Sequence, residues 1–120
     1  MPPKPRVLVI DDDPSVREVV GHELLDAGFM VRSAPDGPSA LALAREEMPD
    51  AVVLDLRLPG MDGREVLRRL KGFAPRLPVF VFSVHGDFPS RVAGLSAADG
   101  CFAKSADLTP LIQAIGRAVL

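Results

Sequence analysis

Short apolar runs alternate along this chain with segments whose apolar residues recur at helical spacing. A continuously apolar run such as VLVI near the start predicts a strand buried on both faces. The same reasoning predicts five strands, at 7–10, 29–34, 51–56, 77–83 and 100–104. It predicts five helices, at 14–27, 39–48 and 64–70, after Pro89, and at 108–119. The inward face of the first helix is predicted to comprise Val16, Val19, Val20, Leu24 and Ala27.

Strands that alternate with helices in this way predict an α/β domain with one parallel sheet and helices on both faces. The length of 120 residues suits a single domain, 1–120, that buries one core. The proline-rich residues 1–5 are expected to be frayed. Asp13 before Pro14 is typical of the cap and first turn of a helix.

Composition and charge argue against several classes of function. The formal net charge is −2 and the basic residues are scattered, so nothing indicates direct binding of nucleic acid or of an anionic membrane. No apolar run approaches the roughly 20 residues that span a bilayer, and the start MPPKPRV lacks the apolar region of a signal peptide. Cys101 is the only cysteine, and we expect it to be a small buried apolar residue. Without an internal disulfide, a cytoplasmic domain is predicted.

Polar side chains follow the apolar strands directly. Because parallel strands carry their carboxyl ends to one edge of the sheet, these side chains are expected to meet in a crevice there. Three gathered carboxylates repel one another and need a cation or raised pKa values. Carboxylate oxygens without histidine or cysteine suit Mg²⁺. The side chains are those of Asp11, Asp12, Asp55, Ser83 and Lys104.

The same crevice suits phosphoryl transfer. A carboxylate beside Mg²⁺ can act as a nucleophile toward phosphorus. A lysine ammonium and a serine hydroxyl can then neutralise and hydrogen-bond the oxygens of the phosphoryl group. Each residue alone has a simpler explanation, such as a helix cap for Asp13 or a strand end for Asp55. Their coincidence at four strand ends is what indicates a site.

With these residues in place, the sequence resembles the receiver domains of bacterial two-component response regulators. The resemblance covers nearly the whole chain and is carried by VLVIDDDPSVR, DLRLPGMDG, VFVFS and GCFAK in that order. It implies a flavodoxin-like (βα)5 fold with the strand order 2-1-3-4-5. It also implies that Asp55 is the phosphoacceptor, that Asp12 binds Mg²⁺ directly, and that Asp11 binds it through a water. The backbone carbonyl of Arg57 would complete the metal shell.

The resemblance further implies a phosphorylation-controlled signalling switch. Ser83 and Lys104 would bind the phosphoryl group after its transfer. A sensor histidine kinase, or a phosphotransfer protein, would be the donor, and an output protein or domain that the sequence does not name would be controlled. No turnover of a separate substrate is expected, and dimerisation is left open.

Three positions depart from the commonest receiver pattern. Cys101 stands where many receivers carry an aromatic ring that turns inward, so we hypothesise that this ring movement is absent or rerouted. Ser105 stands where proline is common, and a trans peptide is predicted before it because a non-proline cis bond costs about 2.5–4 kcal/mol. Val84 is larger than the residue usual at its position and is predicted to narrow access to the phosphoacceptor.

Three other functions stay open. The segment DDDPS satisfies the D-x-D pattern of haloacid-dehalogenase-like phosphatases, with Asp11 as nucleophile and Asp13 as acid. Against this, only Asp107 follows the lysine, where those enzymes need an acidic pair. A flavodoxin-like cofactor binder is disfavoured because the chain has no Tyr or Trp to stack on a flavin. An unphosphorylated receiver used only as a docking module would keep the same fold.

Overall fold

The computed structural model describes residues 3–84 and 97–120. The strands in these ranges are β1 (Arg6–Ile10), β2 (Met30–Ala34), β3 (Ala51–Leu54), β4 (Val79–Ser83) and β5 (Gly100–Ala103). The helices are α1 (Pro14–Asp26), α2 (Gly37–Glu46), α3 (Gly63–Phe73) and α4 (Thr109–Val119). The helix predicted after Pro89 lies outside the described residues. The other predicted elements are found with small shifts at their ends.

The strands form one parallel sheet in the order β2-β1-β3-β4-β5, which confirms the predicted fold. β1 pairs with β2 on one side and with β3 on the other, so that Val7 lies opposite both Val31 and Ala51. The strand order therefore reverses beside β1. In sheets of this kind, the crevice for a ligand opens at the carboxyl ends of the strands at that point.

Two apolar clusters cover the sheet, one on each face. On one face, α2 and α3 pack against strand residues such as Ile10, and Leu67 of α3 is fully buried there. On the other face, α1 and α4 pack against strand residues such as Val9, and Leu24 and Ile115 are fully buried. Because side chains alternate along a strand, neighbouring residues of β1 enter opposite clusters. Both faces of the central strands are therefore closed to water.

Aspartates cap three of the described helices. Asp13, Asp36 and Asp62 each accept a hydrogen bond from a backbone N–H in the first turn of α1, α2 and α3, at 2.8, 2.8 and 2.7 Å. The cap predicted at Asp13 is thus confirmed. After α1 the chain turns at Gly28, whose φ of 99° lies in the left-handed region that glycine adopts without steric cost.

Two predicted inward positions of α1 are wrong, because Val19 and Ala27 are both exposed. Val19 is 57% exposed, whereas Val20 and Leu24 are almost fully buried. The stripe of α1 that contacts the sheet is narrower than the apolar pattern suggested. Val19 instead belongs to the exposed surface of the helix.

The predicted burial of Cys101 is also wrong, since its side chain is exposed. β5 lies at the edge of the sheet, and its next residue, Phe102, packs into the cluster beneath α4. Side-chain alternation then points Cys101 to the face opposite α4. The peptide bond before Ser105 is trans, as predicted.

No helix in residues 3–84 and 97–120 combines the length and apolarity needed to cross a bilayer.

Candidate functional site

Four of the predicted site residues meet at the carboxyl edge of the sheet. Asp11 follows β1, Asp55 follows β3, and Lys104 follows β5, while Ser83 is the last residue of β4. Backbone pairing continues just past the strand ends. The Asp55 N–H donates to the Ile10 carbonyl at 2.9 Å, and the Lys104 N–H donates to the Ser83 carbonyl at 2.7 Å. These bonds fix the relative positions of side chains that are far apart in sequence.

Asp55 lies at the centre of the site and is only 3% exposed. Its Oδ1 accepts hydrogen bonds from the Ser83 hydroxyl at 2.9 Å and from the Arg57 backbone N–H at 3.2 Å. Its Oδ2 accepts one from Lys104 Nζ at 3.1 Å. A buried carboxylate needs such partners, because burial without them is costly. Each oxygen of Asp55 is therefore held by a different part of the sheet edge.

Asp11 lies beside Asp55 and is equally buried. Its carboxylate accepts the Asp13 backbone N–H at 2.9 Å and pairs with Lys104 Nζ at 2.9 Å. Burial is the largest influence on Asp11 and raises its pKa above the ordinary value, although these two contacts act in the opposite direction. The nearby charge of Asp55 raises the pKa further. In the folded chain, this carboxylate is therefore stabilised when it binds a cation or a proton.

Lys104 is the positive charge between the two buried carboxylates. Partial burial is the largest single influence and lowers its pKa, but hydrogen bonds and charge interactions with Asp11 and Asp55 outweigh it. The pKa of Lys104 therefore lies above its ordinary value. The ammonium group stays protonated at neutral pH and is available to bind anionic oxygen.

Asp11, Asp12 and Asp55 form an acidic cluster in which one carboxylate oxygen of each residue lies within 4.8 Å of the others. Asp11 and Asp55 are buried, whereas Asp12 is exposed, so the cluster has a side open to solvent. An all-oxygen set with an open side fits a hard divalent cation that keeps several waters. Asp13 stands apart from this cluster because its side chain caps α1. The ligand set predicted from the three aspartates is thus brought together.

We expect Asp11→Asn to stabilise the metal-free fold at neutral pH. Because the pKa of Asp11 is raised in the folded chain, the folded state binds the proton more tightly, and stability falls as pH rises through that pKa. The neutral amide removes the cost of burying a charged carboxylate. The increase in the free energy of unfolding should therefore be largest above the raised pKa, and it should disappear as the pH falls to the ordinary carboxyl range. Urea denaturation in EDTA from about pH 4 to about pH 7 measures this.

The control is Asp26→Asn, which removes an exposed carboxylate from α1. At neutral pH, where Asp11→Asn should show its full gain, Asp26→Asn should change the free energy of unfolding little, because it removes only an exposed pair with His22. A variant of Asp11 that is less stable than the wild type at neutral pH would contradict the expected sign.

Two residues that shape the site escaped the sequence analysis. The Arg17 guanidinium reaches from α1 and donates to the Asp11 carbonyl at 2.7 Å, which ties down the loop after β1. Gly63 begins α3 so close to β3 that a Cβ there would lie 2.5 Å from the Asp55 carbonyl oxygen and from Leu56 Cα. The close contact of Gly63 with β3 arises only when the two elements pack, which no local pattern indicates.

Two grooves open beside the acidic cluster. A polar groove of about 610 Å³ runs from Asp12 along the loop between β3 and α3, and Arg57 and Arg64 line it. A mainly apolar groove of about 220 Å³ lies between α1 and the segment that follows β5, where Val19 and Lys104 are among its lining residues. The crevice is therefore accessible from a charged side and from an apolar side.

The reversed strand order and the acidic crevice define a flavodoxin-like α/β protein with a cation-attracting site. The sequence model of the response regulator receiver domain matches residues 7–116. The chain belongs to the response regulator receiver domain family. It is thus a phosphorylation-controlled switch domain of two-component signalling, as the sequence predicted.

Curated relatives of this chain include response regulators from mycobacteria. The probable transcriptional regulatory protein TcrX of Mycobacterium tuberculosis is 44% identical over 91 residues, which make up 76% of this chain and 39% of TcrX. The response regulator MprA of Mycolicibacterium vanbaalenii is 45% identical over 92 residues, or 77% of this chain and 40% of MprA. The matched part thus spans about two fifths of the length of these relatives.

Solved structures share the fold over almost the entire chain. TrrA from Thermotoga maritima, a response regulator in complex with Mg²⁺ and BeF, has a TM-score of 0.90 at 27% identity, covering 95% of this chain and 98% of that one. The receiver domain of NtrX from Brucella abortus has a TM-score of 0.87 at 34% identity, covering 94% and 97%. Receiver domains of this family act between histidine kinases and output domains.

Proposed function

We propose that this chain, as one receiver domain over 1–120, accepts a phosphoryl group on Asp55 in a reaction that requires Mg²⁺. The donor is a sensor histidine kinase or a phosphotransfer protein. One observation carries this proposal: Ser83 Oγ and Lys104 Nζ hold different oxygens of one buried carboxylate, at 2.9 and 3.1 Å, beside two further aspartates. The two further carboxylates add repulsion that a purely structural ion pair would not need.

The chain's own groups account for the transfer. An oxygen of the Asp55 carboxylate attacks phosphorus, and the bond from phosphorus to the nitrogen of the donor imidazole breaks. Lys104 and Ser83 already lie within hydrogen-bond distance of the attacking carboxylate, so their donor groups can reach the oxygens of the arriving phosphoryl group. The Arg57 N–H keeps the carboxylate oriented. Lys104 remains protonated throughout and stabilises the transferred negative charge.

Asp12 and Asp55 would hold Mg²⁺ directly, Asp11 through a water, and the Arg57 backbone carbonyl would complete the set. When bound, the ion supplies positive charge that reduces repulsion between carboxylates and phosphoryl oxygens. The spacing of the three carboxylates supports this assignment. The related TrrA structure, which contains Mg²⁺ and BeF, is further support.

Loading of Asp55 would change the contacts of Ser83 and Lys104 together. These two residues are joined by the backbone hydrogen bond of 2.7 Å between the ends of β4 and β5. The change would pass to the surface around β5, which would engage the output protein or domain. Cys101 leaves that strand without an outward aromatic ring.

The missing ring leads to an expected result of its own. Structures with and without a phosphoryl analogue should show no aromatic side chain moving on β5, because Phe102 is packed against Phe80 with ring centroids 6.3 Å apart. Crystals grown with and without Mg²⁺ and beryllofluoride provide the comparison. A clear swing of Phe102 out of the cluster beneath α4 would contradict this.

The apolar groove beside Lys104, lined in part by Val16 and Val19 of α1, would offer the donor protein an apolar surface to contact. Val19 is exposed at this groove and is therefore accessible to such a contact. A cytoplasmic location, no membrane or nucleic-acid contact by this domain, and the open choice between monomer and dimer stay predictions. So does the narrowing of access by Val84, which is 51% exposed.

Two alternatives make different predictions. In a haloacid-dehalogenase-like phosphatase Asp13 would act as the acid, but here its side chain is engaged as the cap of α1. The receiver family match also argues against that reading. An unphosphorylated docking module would keep the fold and bind partners without any loading of Asp55.

The decisive experiment is incubation with acetyl phosphate and, separately, phosphoramidate, each with Mg²⁺ and with EDTA. Intact-mass spectrometry should show one added phosphoryl group only when Mg²⁺ is present, and peptide mapping should place it on Asp55. Modification elsewhere would contradict the assignment of Asp55. Absence of any adduct would favour the docking module.

A further inference from the structure

Among the arginines of α3, Arg64 is the least firmly held. Arg68 and Arg69 both bind the carboxylate of Glu65 and hold its pKa at about 2. Arg64 Nη1 lies 3.5 Å from Asp62 Oδ1, longer than an ordinary hydrogen bond. In the described part of the chain, Arg64 Nε is buried and has no hydrogen-bond partner. The buried Nε is closed to an incoming ligand, so the terminal Nη groups are the donors that can face the groove.

The position of Arg64 in α3 is also electrostatically unfavourable. It is the second residue of the helix, where the unpaired N–H groups create a partial positive charge that favours anions rather than cations. A buried N–H without a partner adds a further cost. The fold itself therefore gains little from a cation at this position.

The first turn of α3, which carries Arg64, packs against the backbone of the proposed phosphoacceptor. Gly63, the neighbour of Arg64, approaches the Asp55 carbonyl so closely that a Cβ would lie 2.5 Å away. Together with Asp12 and Arg57, Arg64 lines the polar groove on the open side of the acidic cluster. Because attack on phosphorus is in line, the leaving group lies opposite the buried carboxylate and faces this open side.

We propose that Arg64 is a specificity-determining residue that holds the anionic leaving group of acyl phosphates. This rests on the proposed loading of Asp55. With acetyl phosphate, the Asp55 oxygen bonds to phosphorus, the bond between phosphorus and the acyl oxygen breaks, and acetate departs with the electron pair. A guanidinium fork matches the two oxygens of that carboxylate. With phosphoramidate, the P–N bond breaks and neutral ammonia departs, so Arg64 has no anion to bind.

The experiment compares initial rates of loading by the two donors, at saturating Mg²⁺, for the wild type and variants of α3. Arg64→Gln should lower the rate with acetyl phosphate by about tenfold, as expected for loss of a charge-assisted hydrogen bond. Its rate with phosphoramidate should stay within about twofold, the size of a minor electrostatic change. Arg64→Lys, which keeps the charge, should recover part of the acetyl phosphate rate. Arg68→Gln, on the same helix but bound to Glu65, should leave the ratio of the two rates unchanged.

Stability separates this role from a structural one. Arg64→Gln should unfold in urea at the same or a higher midpoint than the wild type, because a cation leaves the start of the helix. Equal losses with both donors, or an unchanged ratio of rates, would overturn the role of Arg64 while leaving loading of Asp55 intact. Failure of both donors to load the wild type would overturn the proposed function, and the role of Arg64 with it.

Discussion

Asp55→Asn is expected to abolish phosphoryl loading by acetyl phosphate and by phosphoramidate. The amide has no anionic oxygen to attack phosphorus, and none of the neighbouring carboxylates can replace it. Asp11 is buried and engaged by Lys104 and the Asp13 N–H, while Asp12 lies on the exposed side of the cluster. Intact-mass spectrometry in the presence of Mg²⁺ should therefore show no adduct even after prolonged incubation.

Asp26→Asn is the matched control, since it removes an exposed aspartate outside the crevice and should load like the wild type. Circular dichroism of both variants establishes that they are folded. An adduct that persists in Asp55→Asn would move the phosphoacceptor to another residue. Hydrolysis of p-nitrophenyl phosphate that survives the substitution would support a phosphatase instead.

Gly63→Ala is expected to produce the largest loss of stability. The added methyl group would lie 2.5 Å from the Asp55 carbonyl oxygen and from Leu56 Cα, and both are backbone atoms that cannot rotate away. The start of α3 or the end of β3 must then shift, at a cost of about 3 kcal/mol, the upper end for overpacking. Urea denaturation measures the free energy of unfolding, and loading of Asp55 should fall in parallel.

Gly72→Ala offers the comparison within the same helix. Within residues 3–84 and 97–120, no atom outside the neighbouring helix backbone lies within 4 Å of a Cβ added at Gly72, so the substitution meets open space. Alanine is favoured over glycine in a helix, and we expect a gain of about 0.5–1 kcal/mol. Similar effects at Gly63 and Gly72 would show that helix propensity, rather than the contact with β3, controls both positions.

The sheet and the identity of the site residues were predictable because four of the five apolar runs end in a polar residue that can bind a ligand. A run such as VLVI followed by Asp11 carries both the burial of a strand and the chemistry at its end. Alternating strands and helices then place Asp55 and Lys104 at the same edge. The strand order itself came from the resemblance to receivers rather than from the pattern.

Contacts between elements were not predictable from local pattern. Val19 has helical spacing but lies outside the narrow stripe of α1 that touches the sheet. Cys101 is apolar and sits in a strand, yet it is exposed at the edge. The contact of Gly63 with β3, the reach of Arg17 and the unpaired Nε of Arg64 all depend on how helices dock, which a single sequence does not specify.

Because a protein is synthesised from its N-terminus, Lys104 is made later than the aspartates with which it pairs. Asp55 and its lysine partner are 49 positions apart, and the lysine follows the last strand, at the edge of the sheet. A nascent chain therefore contains the aspartates well before the lysine that pairs with them has been added. On the proposed mechanism, an incomplete chain lacks the ammonium group that would hold the phosphoryl oxygens, and it would be loaded poorly.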